Sequence, residues 1–126
     1  MNLDNLNSLV ELFFIQADKQ DQKSIFLEWL NPNNKKSFTW EETKLNIFKL
    51  SKAIKKNIKE GDRCLLVSEN RPEWFITDLS IMLSDGITVP AYTTYAENDY
   101  NYILNDCTPS IIFDNLNIFC CVSSHV

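Results

Sequence analysis

Three short apolar runs, Cys64 to Val67, Ile87 to Val89 extending to Tyr92, and Ile111 to Phe113, are separated by segments of helical length, and this spacing constrains the fold more than any other feature. The runs are mostly continuous rather than alternating, with Thr88 the polar residue among them, which suits strands buried on both faces. Between the first two, Pro72 to Leu83 (PEWFITDLSIML) reads as a helix with Pro in its first turn and Gly86 just past its end. Apolar residues fill most of its circumference, so more than one neighbour is expected to cover it. Between the second and third runs, Thr94-Tyr95-Ala96-Glu97 has the form of a capping box, and Tyr100, Ile103 and Leu104 supply an apolar face before Cys107 and Pro109. The order strand, helix, strand, helix, strand over residues 63 to 114 predicts parallel pairing with right-handed crossovers.

The preceding segment is organised differently. Leu6, Leu9, Val10, Phe13 and Ala17 recur at helical spacing, with Asp18, Lys19, Asp21 and Lys23 in the polar stretch that follows. Ser24 to Leu30 then alternates, placing Ile25, Leu27 and Trp29 on one face. The turn residues Asn31-Pro32-Asn33-Asn34 lead to a second extended piece ending at Phe38, so a two-stranded hairpin is expected. Thr39-Trp40-Glu41-Glu42 is a capping box that starts a further helix. Its apolar stripe is Ile47, Leu50, Ile54 and Ile58, and Gly61 is the expected stop. Lys44, Lys49, Lys52, Lys55, Lys56 and Lys59 lie at other positions and read as a solvated face.

The resulting fold class is α/β: the N-terminal part of a doubly wound parallel sheet, preceded by a helix and a small β-hairpin. Residues 115 to 126 are too few and too irregular for the next crossover, so the domain is expected to be incomplete, with an irregular tail that is truncated or out of frame. Helices such as Pro72 to Leu83 would then leave apolar surface uncovered.

At 126 residues, with 44% hydrophobic and 23% charged residues, the chain suits about one globular domain. Its net charge of -5 argues against nucleic acid as a partner and offers no overall attraction to an anionic membrane. No basic residue precedes the first apolar stretch, as a secretory signal would require, and no apolar run is long enough to cross a bilayer. The cysteines, Cys64, Cys107, Cys120 and Cys121, show no CxxC spacing, which points to thiols in a reducing cytoplasm rather than to a metal site. His125, the penultimate residue of the sequence, is expected to be solvated.

Residues that carry chemistry are scarce. With Gly61 and Gly86 as the only glycines, neither a GxGxxG nor a GxxxxGK[ST] loop can form, and no Ser stands in a GxSxG elbow. Glu69 and Glu73 flank the first strand-to-helix junction, but without a neighbouring His they read as groups that cap and solvate a helix start. Tyr92, Tyr95, Tyr100 and Tyr102 fit core and rim packing better than a stacking platform.

The stretch GDRCLLVSENRPEW (Gly61 to Trp74), followed by GITVPAY (Gly86 to Tyr92) and YILND (Tyr102 to Asp106), resembles the first part of the AMP-forming acyl-CoA synthetases, within the superfamily of adenylating enzymes. The resemblance covers about residues 6 to 114 and includes the SFTWEE helix start. The RPEW and VPAYTTY pieces look most like the long-chain fatty acid branch. That resemblance implies a reaction of a fatty acid with ATP to an acyl-adenylate, displaced by coenzyme A, with magnesium assisting. It also implies that the phosphate loop, the metal ligand and the catalytic Lys of such enzymes lie downstream of residue 126. No catalytic, cofactor-binding or metal-binding residue is therefore carried onto any position here. ATP, magnesium and coenzyme A are expected for a complete enzyme but not for this chain alone, which is expected to be inactive. Two alternatives stand beside this reading: a free-standing α/β module holding a ligand between strand ends near Ser68 and Tyr92, and a split subunit that associates with a separately encoded C-terminal portion.

Overall fold

The computed structural model describes residues 6–114. The expected tail from Asn115, with Cys120, Cys121 and His125, lies outside the described residues. Helix α1 (Leu9–Ala17) starts at Ser8, whose hydroxyl accepts from the Glu11 N–H. A hairpin of β1 (Ile25–Trp29) and β2 (Lys36–Thr39) follows, paired antiparallel. Helix α2 (Trp40–Lys55) comes next, and then β3 (Arg63–Val67), α3 (Pro72–Leu83), β4 (Ile87–Ala91), α4 (Glu97–Cys107) and β5 (Ile111–Phe113). The three last strands form one parallel sheet in the order β4-β3-β5, with Leu65 opposite both Val89 and Ile112. The chain thus crosses from β3 to β4 in one direction and from β4 back past β3 to β5 in the other, the doubly wound pattern. With right-handed crossovers, that reversal assigns α3 and α4 to opposite faces.

Two apolar clusters hold the layers together. On one face of the sheet, Cys64, Leu66, Ile111 and Phe113 meet Leu50 and Ile54 of α2 and Ile81 of α3. On the far side of those helices, Val10, Ile47, Ile76 and Leu79 pack with Phe13, Phe14, Leu27 and Phe38 from α1 and the hairpin. Helix α3 is therefore covered from two sides, which accounts for its nearly all-round apolar sequence. The packing between α2 and α3 is close because small residues line it: buried Ser80 on α3 and Ser84 at its C-terminal cap donate to the carbonyls of Ile47 and Ser51 on α2, at 3.3 and 3.0 Å.

Several local details differ from the sequence reading. Ile25 does not share the inward face of Leu27 and Trp29, because the pairing register shifts between Ile25 and Leu27; Ile25 is 59% exposed. The bulge turns Phe26 inward instead, where its ring stacks on Trp40 and meets Phe75 edge-on. The Thr39 box forms as read, with Thr39 Oγ1 accepting from the Glu42 N–H and Glu42 accepting from the Thr39 N–H. Its helix, however, ends at Lys55 rather than at Gly61. Gly61 takes φ +80° in the turn that enters β3, where its N–H donates to the Asp85 carbonyl. The second box does not begin at Thr94. A turn from Tyr92 to Tyr95 occupies that position, and α4 starts after Ala96, whose N–H donates to the Asp99 carboxylate. Alanine has no side-chain acceptor, so only that half of the box exists. At the other end of α4, Thr108 adopts φ +41° and is held by Arg63, which donates to Thr108 Oγ1 and to the Cys107 carbonyl.

Candidate functional site

A cleft of about 690 Å³ opens at the carboxyl ends of β3 and β4. Residues 68–70 leaving β3, Trp74 in the first turn of α3, Pro90 and Ala91 at the end of β4, and residues 92–95 that follow it form its walls. Parallel strands direct their following loops to the same end of the sheet, so the βαβ unit itself creates this crevice. Ser68 and Tyr92, the strand-end positions singled out in the sequence, both line it.

The lining is aromatic and hydroxylic. Tyr92 and Tyr95 meet edge-to-face with ring centroids 5.4 Å apart, Tyr95 continues to Tyr100 at 6.0 Å, and the Tyr100 hydroxyl donates to the Tyr92 carbonyl. Tyr92 is 69% exposed and Tyr102 is 72% exposed, so these rings form a rim and not a core. That corrects half of the packing expected of them, and the reason is that α4 buries none of its residues.

The two glutamates at this junction separate. Glu69 lines the cleft. Glu73, one helical step inside α3, turns to the hairpin, where it meets the Lys36 ammonium at 2.5 Å and Arg71 Nε at 3.6 Å. The Arg71 guanidinium lies over the Trp29 ring, 4.6 Å from its centroid. Burial disfavours ionisation of Glu73, but the hydrogen bond from Lys36, the backbone amide and the Lys36 and Arg71 charges outweigh it and hold the carboxyl below its usual range. Glu73 is thus a structural ion-pair partner and not the solvated cap that its position suggests. Burial also pushes the Cys107 thiol up, away from reactive thiolate.

The cleft does not fit a magnesium-bound triphosphate. Its walls carry one carboxylate, Glu69, and no Lys or Arg. The glycines stand at the opposite, amino ends of the strands: Gly61 before β3 turns the chain at positive φ, and Gly86 before β4 admits Ile58 and Ile81, so neither cradles phosphates. Neutral planar groups suit such walls better than anions. Asn70, Trp74, Thr93 and Thr94 were not legible as lining residues, since it is the juxtaposition of two loops that brings them together.

Comparison with known proteins agrees with the architecture. The Legionella pneumophila fatty acid AMP ligase superposes over 86% of this chain and 19% of its own, with a TM-score of 0.74 at 20% identity. The structure described as IdnL1 superposes over 92% of this chain and 24% of its own, with a TM-score of 0.80 at 13% identity. At those identities the likeness is one of fold. In sequence, the long-chain-fatty-acid–CoA ligase FadD15 of Mycobacterium tuberculosis is 32% identical over 60 residues, covering 48% of this chain and 10% of the relative. The match therefore spans about a tenth of that ligase's length. The family described as AMP-binding enzyme matches residues 13–122, most of the sequence. With a parallel β4-β3-β5 sheet, a hairpin-capped helical layer and this match, the chain belongs to the AMP-binding enzyme family.

Proposed function

We propose that residues 1–114 supply the N-terminal sheet and helical layer of the adenylate-forming domain of an ATP-dependent long-chain fatty acid CoA ligase, with residues 115–126 outside that unit. The 60-residue match to a long-chain-fatty-acid–CoA ligase carries the substrate assignment. The reaction is acid plus ATP plus coenzyme A to acyl-CoA, AMP and pyrophosphate. This chain holds none of its catalytic, cofactor-binding or metal-binding residues. Support for that division of labour is the poverty of the strand-end cleft in cations and glycine. Phosphoryl and adenylyl chemistry depends on positioned charge, so the chain by itself is inactive. A cytoplasmic setting is in keeping with Cys64 and Cys107 not being joined in a disulfide. No described helix is long and apolar enough to cross a membrane.

Two measurements test this reading. The purified 126-residue chain should give no fatty-acid-dependent exchange of pyrophosphate into ATP, and exchange above blank overturns the claim of inactivity. A chimera of the Mycobacterium ligase carrying residues 13–114 in place of its matching segment should still form long-chain acyl-CoA. A folded chimera that has lost this activity would sink the proposed role.

A second reading rests on the cleft itself: a binding module that holds a small, largely uncharged molecule between residues 68–70 and Tyr92. Isothermal titration of the chain with an aromatic fragment set separates the two readings, since only the module retains a ligand without the rest of a ligase.

A further inference from the structure

Charge is distributed very unevenly along this chain. Residues 44–59 contain six lysines and no Asp or Glu, whereas the remaining residues carry 17 acids against six bases, a balance of -11. The net charge of -5 therefore conceals a local +6, carried by Lys44, Lys49, Lys52 and Lys55 on α2 and by Lys56 and Lys59 just past its end. Two of the six lysines are engaged: Lys44 pairs with Asp18 at 2.8 Å and Lys55 with Asp85 at 3.2 Å. Lys49, Lys52 and Lys56 are exposed and make no ion pair among the described residues.

Those three lysines share a helix face with two apolar side chains. Positions 45, 48, 49, 52 and 56 are spaced by three, four, seven and eleven residues from the first, so they form one stripe. Leu45 is 50% exposed and Phe48 is 46% exposed, although the Phe48 ring stacks on Phe14 of α1 at 4.8 Å. The buried stripe of α2, Thr43, Ile47, Leu50, Ser51 and Ile54, already faces the core. Leu45 and Phe48 are thus not mislaid core residues but a separate outward pair set among cations. An acidic polypeptide or a phosphate backbone needs only the lysines. An interface that is anionic at its surface and apolar a few ångströms deeper engages both kinds of side chain at once.

We propose that this face of α2 docks the chain on the surface of an anionic lipid bilayer, with Leu45 and Phe48 entering the headgroup region and Lys49, Lys52 and Lys56 meeting the lipid anions. The helix lies on the membrane and does not cross it. Each lysine held near such a surface strengthens binding by roughly fivefold, and three together by about a hundredfold. The attraction weakens as salt shortens the reach of the charges.

The test is co-sedimentation of the full chain with vesicles of phosphatidylcholine alone or with about 30% phosphatidylserine. The expected result is strong preference for the anionic vesicles, declining between about 50 and about 300 mM salt. K49Q/K52Q/K56Q should bring binding to the level seen on neutral vesicles, and L45S should lower it by roughly fivefold or more with an unchanged circular dichroism spectrum. Both sites are exposed, so neither variant removes core packing, and the salt series on the parent chain stands if a variant misfolds. Equal binding to both vesicle types, or a triple variant that binds like the parent, overturns the proposal. If L45S binds the anionic vesicles as the parent does, the contact is purely electrostatic, and the insertion of Leu45 and Phe48 into the headgroup region is overturned.

Discussion

The Lys36 ammonium on β2 lies 2.5 Å from the Glu73 carboxylate in the first turn of α3, joining residues 37 positions apart. It ties the hairpin to the helix that borders the cleft. Solvent reaches part of this pair, with Lys36 37% and Glu73 16% exposed, so its worth falls between that of a surface bridge and a buried one. Glu73→Gln is expected to lower stability at neutral pH by about 1–2 kcal/mol, read from urea unfolding.

The same pair predicts a pH dependence. Its folded carboxyl titrates below the ordinary value of 4.5, so its contribution is fully present above that value and is lost as pH falls through the lower, folded one. The parent chain should lose stability on acidification below about pH 4.5, and Glu73→Gln should lose less over the same interval. Identical acid profiles for the two chains would show that other carboxylates carry the effect.

Thr39→Ala removes the hydroxyl that accepts from the Glu42 N–H and should cost about 1 kcal/mol, with Thr39→Ser restoring most of it. Thermal melts of the three chains check this. An unchanged melting temperature in Thr39→Ala would mean that solvent satisfies the first turn equally well.

The two glycines should respond differently to alanine. At Gly86 an added methyl group would sit 2.9 Å from Ile58 Cδ1, 3.0 Å from Ile81 Cγ2 and 3.2 Å from the Ile81 carbonyl. The Ile58 tip can swing aside, but the α3 backbone cannot, so a loss of about 1–3 kcal/mol is expected. At Gly61 nothing lies within 4 Å, and the cost is that of holding alanine at φ +80°, about 1 kcal/mol. Chemical denaturation of both variants should rank Gly86→Ala as the more damaging.

Ser80 tests the close contact between α2 and α3. Ser80→Ala keeps the volume small and should change stability by less than about 1 kcal/mol, since the Ile76 carbonyl it loses as a partner is also a helical acceptor. Ser80→Leu must push α2 away and should cost about 3 kcal/mol or more, with heightened binding of a hydrophobic dye. Comparable melting temperatures for the two would show that the helices have room to separate.

Much of this architecture is written in local pattern. The runs at Cys64, Ile87 and Ile111, the Pro at the start of α3 and the Thr39-Glu42 box each specify an element from neighbouring residues alone. Three apolar strands alternating with helices leave parallel pairing as the simple solution. The cleft was legible only as a place, the strand ends near Ser68 and Tyr92, because topology brings those ends together whatever residues occupy the loops. Its composition was not. Glu73 looked like a solvated cap because nothing in the sequence indicates that Lys36 will fold back against it.

The sequence by itself determined the order, type and direction of the elements, since hydrophobic period and capping chemistry act over a few residues. Only the tertiary structure decided which side chains those elements would cover. The bulge that exchanges Ile25 for Phe26, the turn of Glu73 toward Lys36, the rim of tyrosines beside a helix that buries nothing, and the outward pair Leu45 and Phe48 all depend on neighbours distant in the chain. Burial is a property of the packed assembly and not of the residue, and a helical stripe becomes core or surface according to what is laid against it.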